Sequence, residues 1–334
     1  MKLRLLEYLT CPDHPDEFLQ LRMGHVAKLF DHAVEVETPL CRYYCALAQG
    51  RLEDLPMELT PDCQTCISME LQRGFLTCPV CGGFYALYEG VPVLSKFFPA
   101  SADTSADRLV AEFRFGDSKI VDYRRRGPFA KIAGRREAGF IAENIKLPAI
   151  DSVLYLGGAT TSIIDLFCER DMEVVVATEE PHELLRIHER EMVNPSRLEF
   201  FLVTSPDLTG LRAESFDLVI SGYRLYGPHG YIPPAVSDIA RPCNKSGTIA
   251  MILYKDNYLK RIAGLCEGQC GRMKERSHTL DEFKAGLPES MRAMDMETHS
   301  SNLFDLLVLQ SPVTEPEEVK TIFHGDEAEA MINA

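Results

Sequence analysis

The 334 residues contain no tryptophan and no apolar run near the length of a membrane span, and they are short of positive charge, with 35 Lys and Arg against 50 Asp and Glu. A transmembrane helix needs about 20 consecutive apolar residues, so no membrane partner is expected. The net charge of −15 argues against a surface that wraps nucleic acid as a whole, because phosphate binding rests on Lys and Arg. A local basic patch remains open. The start, MKLRLLEYLTC, is too short and too charged for the apolar core of a signal peptide. The expected location is the cytoplasm, where thiols stay reduced. What remains, 46% hydrophobic and 25% charged residues, describes a soluble globular chain long enough for two domains.

Cysteine is what the chain has in plenty. Seven of eleven fall in the first 81 residues, as Cys11, Cys41 and Cys45, Cys63 and Cys66, then Cys78 and Cys81. Paired spacings in a reducing compartment point to metal rather than to disulfides. The segment CPDH puts His14 where a Cys-Pro-x-Cys knuckle would carry its second cysteine. Cys11, His14, Cys78 and Cys81 then supply the four ligands of a closed tetrahedral zinc site. Cys41, Cys45, Cys63 and Cys66 make a second set nested inside the first. Pairing Cys63 and Cys66 with Cys78 and Cys81 is an alternative, and CPVCG is also an iron knuckle of the rubredoxin kind. About 95 residues with two or three short strands bury little core, so a structural metal would contribute folding free energy directly.

Two stretches, LLEYLTCPDH and LTCPVCGGFYALYEGVPVL, resemble the small zinc-binding activator subunit of tRNA and translation-factor methyltransferases (the Trm-family activator) and its bacterial relatives. The resemblance covers roughly residues 3–20 and 72–96. Its closing motif is matched at Cys78, Cys81, Gly82, Tyr85, Gly90, Pro92, Val93 and Leu94. His14 departs from the motif in a way zinc accepts, and residues 21–71 form an insert with cysteines of its own.

Small polar residues in SADTSADR mark a linker, with the domain boundary near residue 100. Beyond it Phe129, Ile132, Ala133, Phe140, Ile141 and Ile145 recur at mostly helical spacing. Arg124, Arg125, Arg126, Lys131, Arg135 and Arg136 make this the most basic region, either a solvated helix face or a site for an anionic partner. Val/Ile/Leu-rich strands then alternate with helices: DSVLYLGG, MEVVVATEE, LEFFLVTS, SFDLVISGY and GTIAMILY are the strands. That pattern predicts an α/β, doubly wound, mostly parallel sheet at residues 100–312, next to a zinc-ribbon-like module at 1–99. Residues 313–334 read as an acidic tail.

Such sheets bind ligands at the carboxyl ends of their strands. Gly157 and Gly158 sit where the first strand turns into its helix. Glu179 ends the second strand about twenty residues on, placed either to accept hydrogen bonds from an adenosine ribose or as an ordinary surface carboxylate. The run FDLVISGYRLYGPHGYIPPAVSDIARPCNKSGTIAMIL resembles class I S-adenosylmethionine-dependent methyltransferases at Phe216, Asp217, Val219, Ser221, Leu225, Arg241 and Gly247. The resemblance implies a seven-stranded sheet whose reversed last pair would be MRAMDMETHS and LFDLLVLQS. It makes Glu179 the ribose-binding acid, sets Ser205 or Asp207 near the adenine, and adds Ser221 to Gly157 and Gly158 as cofactor-binding candidates. The glycine motif departs from the family at Tyr155, Ala159 and Thr161.

Methyl transfer to a nucleophile needs positioning, and a general base where the acceptor must lose a proton. Tyr226 and His229, after the fourth strand, are the acceptor-site candidates, with His229 the better base by its near-neutral reference pKa. A bland surface histidine is the competing reading. The Asn-Pro-Pro-Tyr type motif of amide and amino nitrogen methylation is absent, which leaves small-molecule O-, C-, N- or S-acceptors. Two other readings stay open: a catalytically silent scaffold or partner subunit, in keeping with the departed glycine motif, and an RNA methyltransferase docking through its zinc module. A protein partner or a homodimer is compatible with all of them. Cys266 and Cys270 of CEGQC read either as a further metal pair or, with Cys168 and Cys243, as ordinary thiols.

Overall fold

The computed structural model describes residues 1–29, 41–56, 62–63, 66, 69–88, 90–94, 128–156, 161–168, 170, 172–178, 199–204, 208–221, 237–255 and 279–310. The chain opens with a 3-10 helix, Leu3–Tyr8, followed by the two-stranded sheet of β1 (Thr10–Cys11) and β2 (His14–Phe18). Next come β3 (Gln20–Leu29), the short pair β4 (Tyr44–Cys45) and β5 (Gly50–Arg51), then β6 (Met69–Thr77), β7 (Phe84–Tyr88) and β8 (Val91–Leu94). Residues 21–71, expected as an insert, begin and end as arms of one antiparallel ladder that runs from Gln20↔Thr77 to Leu29↔Met69.

The α/β part starts with α1 (Pro128–Asn144), whose proline stands at the first helical position, where its missing N–H costs nothing. It continues through β9 (Ser152–Leu156), α2 (Thr161–Cys168), β10 (Glu173–Thr178), β11 (Glu199–Thr204), β12 (Phe216–Ser221) and β13 (Cys243–Tyr254). Two short helices, α3 (Leu280–Ala285) and α4 (Glu289–Arg292), lead to β14 (Asp295–Ser300) and β15 (Phe304–Gln310). Thr279 caps α3 in a reciprocal capping box with Glu282.

Strands β9 to β13 are mutually parallel. All five residues of β9 and all but one of β12 are buried, as a sheet covered on both faces requires. Helix α1 lies over the β15 side, with the Phe140 ring edge-on to Phe304 at 5.2 Å, and α2 buries Ile163, Ile164 and Phe167. Strand β15 runs antiparallel to both β13 and β14, between which it lies. The sequence MRAMDMETHS and LFDLLVLQS thus form a reversed closing pair.

The sheet does not stop at the boundary near residue 100. Its order is β14-β15-β13-β12-β9-β10-β11-β8-β7-β6-β3, eleven strands in all. The join is a parallel pairing of Val203 with Val93 and Thr204 with Leu94. The front module therefore covers an edge of β11 that would otherwise expose unpaired backbone groups. The expected linker and the acidic tail lie outside the described residues.

Gly247, matched in the methyltransferase run, has a local reason. Residues 244–247 loop out between Cys243, opposite Phe216, and Thr248, opposite Leu218. A Cβ at Gly247 would stand 2.7 Å from Cys243 Sγ and 2.9 Å from the Asp217 carbonyl oxygen, so a side chain is excluded there.

Candidate functional site

The outer metal set comes together. Cys11 and His14 face each other across the β1–β2 turn, and Cys78 and Cys81 occupy the loop between β6 and β7. The four ligand atoms lie within 4.8 Å of one another. Cys11 Sγ is 3.6 Å from His14 Nδ1 and 3.8 Å from Cys81 Sγ, while Cys78 Sγ is 3.8 Å from His14 Nδ1. Tetrahedral zinc with bonds of about 2.3 Å to sulfur and about 2.05 Å to nitrogen demands S···S near 3.8 Å and S···N near 3.6 Å. The residues fit the ion.

The loop that carries Cys78 and Cys81 is built for this. Gly82 adopts a left-handed φ of 66°, its N–H donating to the Cys78 carbonyl at 2.9 Å, and the Gly83 N–H donates to Cys81 Sγ at 3.4 Å. Burial pushes the Cys78 thiol up to about 11, against the pull of the Cys81 and Val80 N–H groups. At Cys81 burial acts in the same upward direction but is outweighed by the Gly83 N–H and the Cys78 and Cys11 thiols, which hold it below its ordinary value. Tyr85 places its hydroxyl 3.1 Å from Cys11 Sγ, an outer partner of the kind that orients metal ligands. With four protein ligands the site has no open position, which suits a structural metal.

The inner set behaves differently. Cys41, Cys45, Cys63 and Cys66 are all buried, but among the described residues no second group of three or more ligand atoms forms a cluster of the outer kind.

Between this cluster and the sheet lies a network that sequence reading missed. The Arg4 guanidinium donates through two nitrogens to the Glu173 carboxylate, which also accepts from the Tyr8 hydroxyl. Arg4, Glu7, Tyr8 and Glu173 are all at most 6% exposed. Glu7 accepts the backbone N–H groups of Arg42 and Tyr43. The Tyr8 ring stacks on Phe216 at 4.8 Å, and Arg42 pairs with Asp151 at 3.1 Å and Asp217 at 3.8 Å. Glu173 and Phe216 open their strands and Asp151 precedes β9, so every one of these anchors grips the amino ends of the sheet. The available signal was charge out of place: Arg4 and Glu7 inside LRLLEYL, and Glu173 ahead of a valine run.

Arg241, matched in the methyltransferase run, serves the same end. It donates to the carbonyl oxygens of Leu211 and Leu208, bracing the β11–β12 connection. Arg212 of that connection stacks its guanidinium 3.6 Å from the Tyr43 ring centroid.

At the opposite, carboxyl ends the chain order reverses direction across the sheet: β10 and β11 extend from one side of β9, β12 and β13 from the other. This switch point lies between β9 and β12, where open α/β sheets bind ligands. Ser221 ends β12 there, in register with Leu156, the residue before Gly157. Its side chain is fully buried, and its hydroxyl has no hydrogen-bond partner among the described residues. Tyr155, standing where the methyltransferase pattern has an acid, is buried in the core at 2% exposure. Gly157, Gly158, Glu179, Asp207, Tyr226 and His229 lie outside the described residues. A third buried carboxyl, also missed in sequence, lies at this end: Glu137 of α1 accepts a 3.0 Å hydrogen bond from Tyr254, the last residue of β13.

No family model and no curated protein matches the chain. Among solved structures, the plantazolicin methyltransferase BamL, in complex with a triazolic desmethylPZN analog and SAH, overlaps 62% of this chain and 91% of its own at 11% identity and a TM-score of 0.40. Magnesium protoporphyrin IX methyltransferase (ChlM) from Synechocystis PCC 6803, with bound SAH, overlaps 61% and 94% at 13% identity and a TM-score of 0.38. An O-methyltransferase family protein from Burkholderia thailandensis overlaps 62% and 63% at 13% identity and a TM-score of 0.42. Overlaps this loose set up no residue-by-residue correspondence.

Proposed function

We propose that this chain is an S-adenosylmethionine-dependent methyltransferase that carries a structural zinc ribbon in the same polypeptide. The observation that carries the reading is Ser221: a fully buried hydroxyl without a partner among the described residues, beside Leu156 at the switch point of a doubly wound sheet. A buried hydroxyl left unpaired costs on the order of 1–3 kcal/mol, and a ligand seated at this end of the sheet would relieve that cost. Gly157 and Gly158 follow directly in sequence, where the lack of side chains would let backbone approach a nucleoside closely, and Glu179, next in sequence after β10, is the acceptor proposed for the ribose hydroxyls.

When bound, the cofactor supplies a pre-activated methyl group on sulfonium sulfur. The chain's own part is to seat donor and acceptor in line and to exclude water. His229 is proposed to take the acceptor's proton where one must leave, with Tyr226 as a second acceptor-site residue. The acceptor is proposed to be a small molecule. Zinc is assigned to Cys11, His14, Cys78 and Cys81, where no ligand position is open for substrate. Its role is to hold the front module, and through that module the amino ends of the strands.

The buried Tyr155 favours a second reading, a methyltransferase fold kept as a scaffold, because a carboxylate expected near the methionine moiety is replaced by a core side chain. Calorimetric titration with S-adenosylmethionine separates the two. Binding is expected, weakened about tenfold by Ser221→Ala with no loss of thermal stability. No heat and no thermal shift at millimolar cofactor would leave the scaffold reading standing.

A further inference from the structure

The inner cysteines are not scattered. Cys41 and Cys45 flank the start of the β4–β5 hairpin, and Cys63 and Cys66 share one helical turn, closed by the Cys66 N–H to the Asp62 carbonyl at 3.0 Å. All four are buried, between 3% and 8% exposed. They also share one neighbourhood: Cys66 and Cys45 lie within electrostatic reach of Cys41, and Cys45 and Cys63 within reach of Cys66. The Arg4 guanidinium acts on both Cys41 and Cys66.

Buried cysteines can serve as small core hydrophobes, and that use sets no requirement on spacing. These four come as Cys-x-x-x-Cys and Cys-x-x-Cys, the separations that let two thiolates of one loop reach a single ion. Little else is buried along this stretch: between residues 41 and 66 the other buried side chains among the described residues are Tyr44 and Ala46. A segment so poor in core gains most from a metal.

We propose that Cys41, Cys45, Cys63 and Cys66 form a second, four-thiolate zinc site. In the described structure these thiols do not form a cluster of the outer kind, so binding the ion would draw the two pairs together. Zinc with four thiolates carries a net charge of −2, and Arg4 and Glu7 act on this neighbourhood with opposite signs. The site would fix the turn at 41–45, whose Arg42 and Tyr43 N–H groups are already held by Glu7 and whose Arg42 side chain reaches Asp151 and Asp217. It would thus clip the segment between β3 and β6 to the amino ends of the main sheet. This proposal stands apart from methyl transfer and survives if the chain proves to be a scaffold.

The test is metal stoichiometry on the full chain, purified under reducing conditions, by elemental analysis and native mass spectrometry. Two zinc ions per chain are expected, with X-ray absorption averaging seven sulfurs to one nitrogen over the two sites. The double variant Cys63→Ser/Cys66→Ser should keep one zinc, now with three sulfurs and one nitrogen. A single equivalent in the unaltered chain overturns the proposal, and so does a second equivalent that persists in the double variant. Should that variant fail to fold, the count and ligand average of the unaltered chain decide the matter.

Discussion

The two ends of the central sheet are finished in opposite ways. At the amino ends, Arg4, Tyr8, Glu173, Arg42, Asp151, Ser152, Asp217 and Asn244 interlock; Asp217 alone accepts the Asp151 N–H at 3.1 Å, the Ser152 N–H and hydroxyl at 3.0 Å, and the Asn244 amide at 2.6 Å. At the carboxyl ends, the described residues offer a hydroxyl with no described partner on Ser221 and a buried Glu137 whose described partner is a phenol. Buried polar groups stabilise when their partners are complete and cost free energy when they are not. The contrast is one of degree, since Glu7 Oε2 and Arg212 Nη1 also lack a hydrogen bond among the described residues and Lys255 is held by Ser300, Ser301 and Asp305; what the front module adds is a dense set of partners at the end away from the proposed cofactor site.

The largest test of that contrast removes the metal from the stable end. Apparent binding free energies of structural zinc run to about 10–16 kcal/mol. Replacing Cys78 by Ser leaves three ligands, so it should release a zinc equivalent and lower the melting temperature by on the order of 10 °C or more. Limited proteolysis should then cut first within residues 1–94. Retention of zinc and of protease resistance by this variant would mean that the ribbon is held by packing, and the contrast would lose its metal.

Next in size is the buried ion pair itself. Arg4→Met keeps an unbranched apolar stem but strands the Glu173 carboxylate, 6% exposed, with only the Tyr8 hydroxyl of its two described partners. Removing one partner of a buried pair costs about 3–5 kcal/mol, whereas replacing both by apolar groups is often neutral. Urea unfolding should show that loss for Arg4→Met and recover most of it in Arg4→Met/Glu173→Leu. A single variant within about 1 kcal/mol of the unaltered chain would mean that Glu173 finds other partners.

How far the sequence could announce this contrast depends on what each feature is made of. Strands β9, β12 and β13 and helix α1 are readable because period and burial leave a pattern in the residues themselves. The outer metal set is readable because knuckle spacing is a local property of Cys78 and Cys81, and His14 takes a ligand's place in the other knuckle. The join of β8 to β11 is not: pairing Leu94 with Thr204 depends on backbone hydrogen bonds between segments more than a hundred residues apart, to which no residue type is committed. The Arg4–Glu173 pair is equally hidden, since a charge within an apolar run reads as a surface position until its partner, 169 residues away, is in place.

The smallest test concerns Glu137, the counterpart of Glu173 at the carboxyl end. Glu173 has a guanidinium and a phenol; Glu137 is fully buried on α1 with the Tyr254 hydroxyl, and burial pushes its carboxyl up from 4.5 to about 7, the phenol pulling the other way. Below about pH 4.5 this carboxyl is protonated in the folded and the unfolded chain, so folding is indifferent to it. From there to about pH 7 the unfolded chain gives up the proton that the folded one keeps, and stability falls. Above about pH 7 the loss is complete, at roughly 3 kcal/mol. Glu137→Gln retains a carbonyl oxygen for Tyr254 and cannot ionise. Unfolding at pH 5 and pH 8 should therefore differ less for this variant than for the unaltered chain, and at pH 8 the variant should be the more stable by up to that amount. Equal pH dependence in the two would show that Glu137 gains a cation or water as it ionises, and the contrast between the two buried carboxyls would disappear.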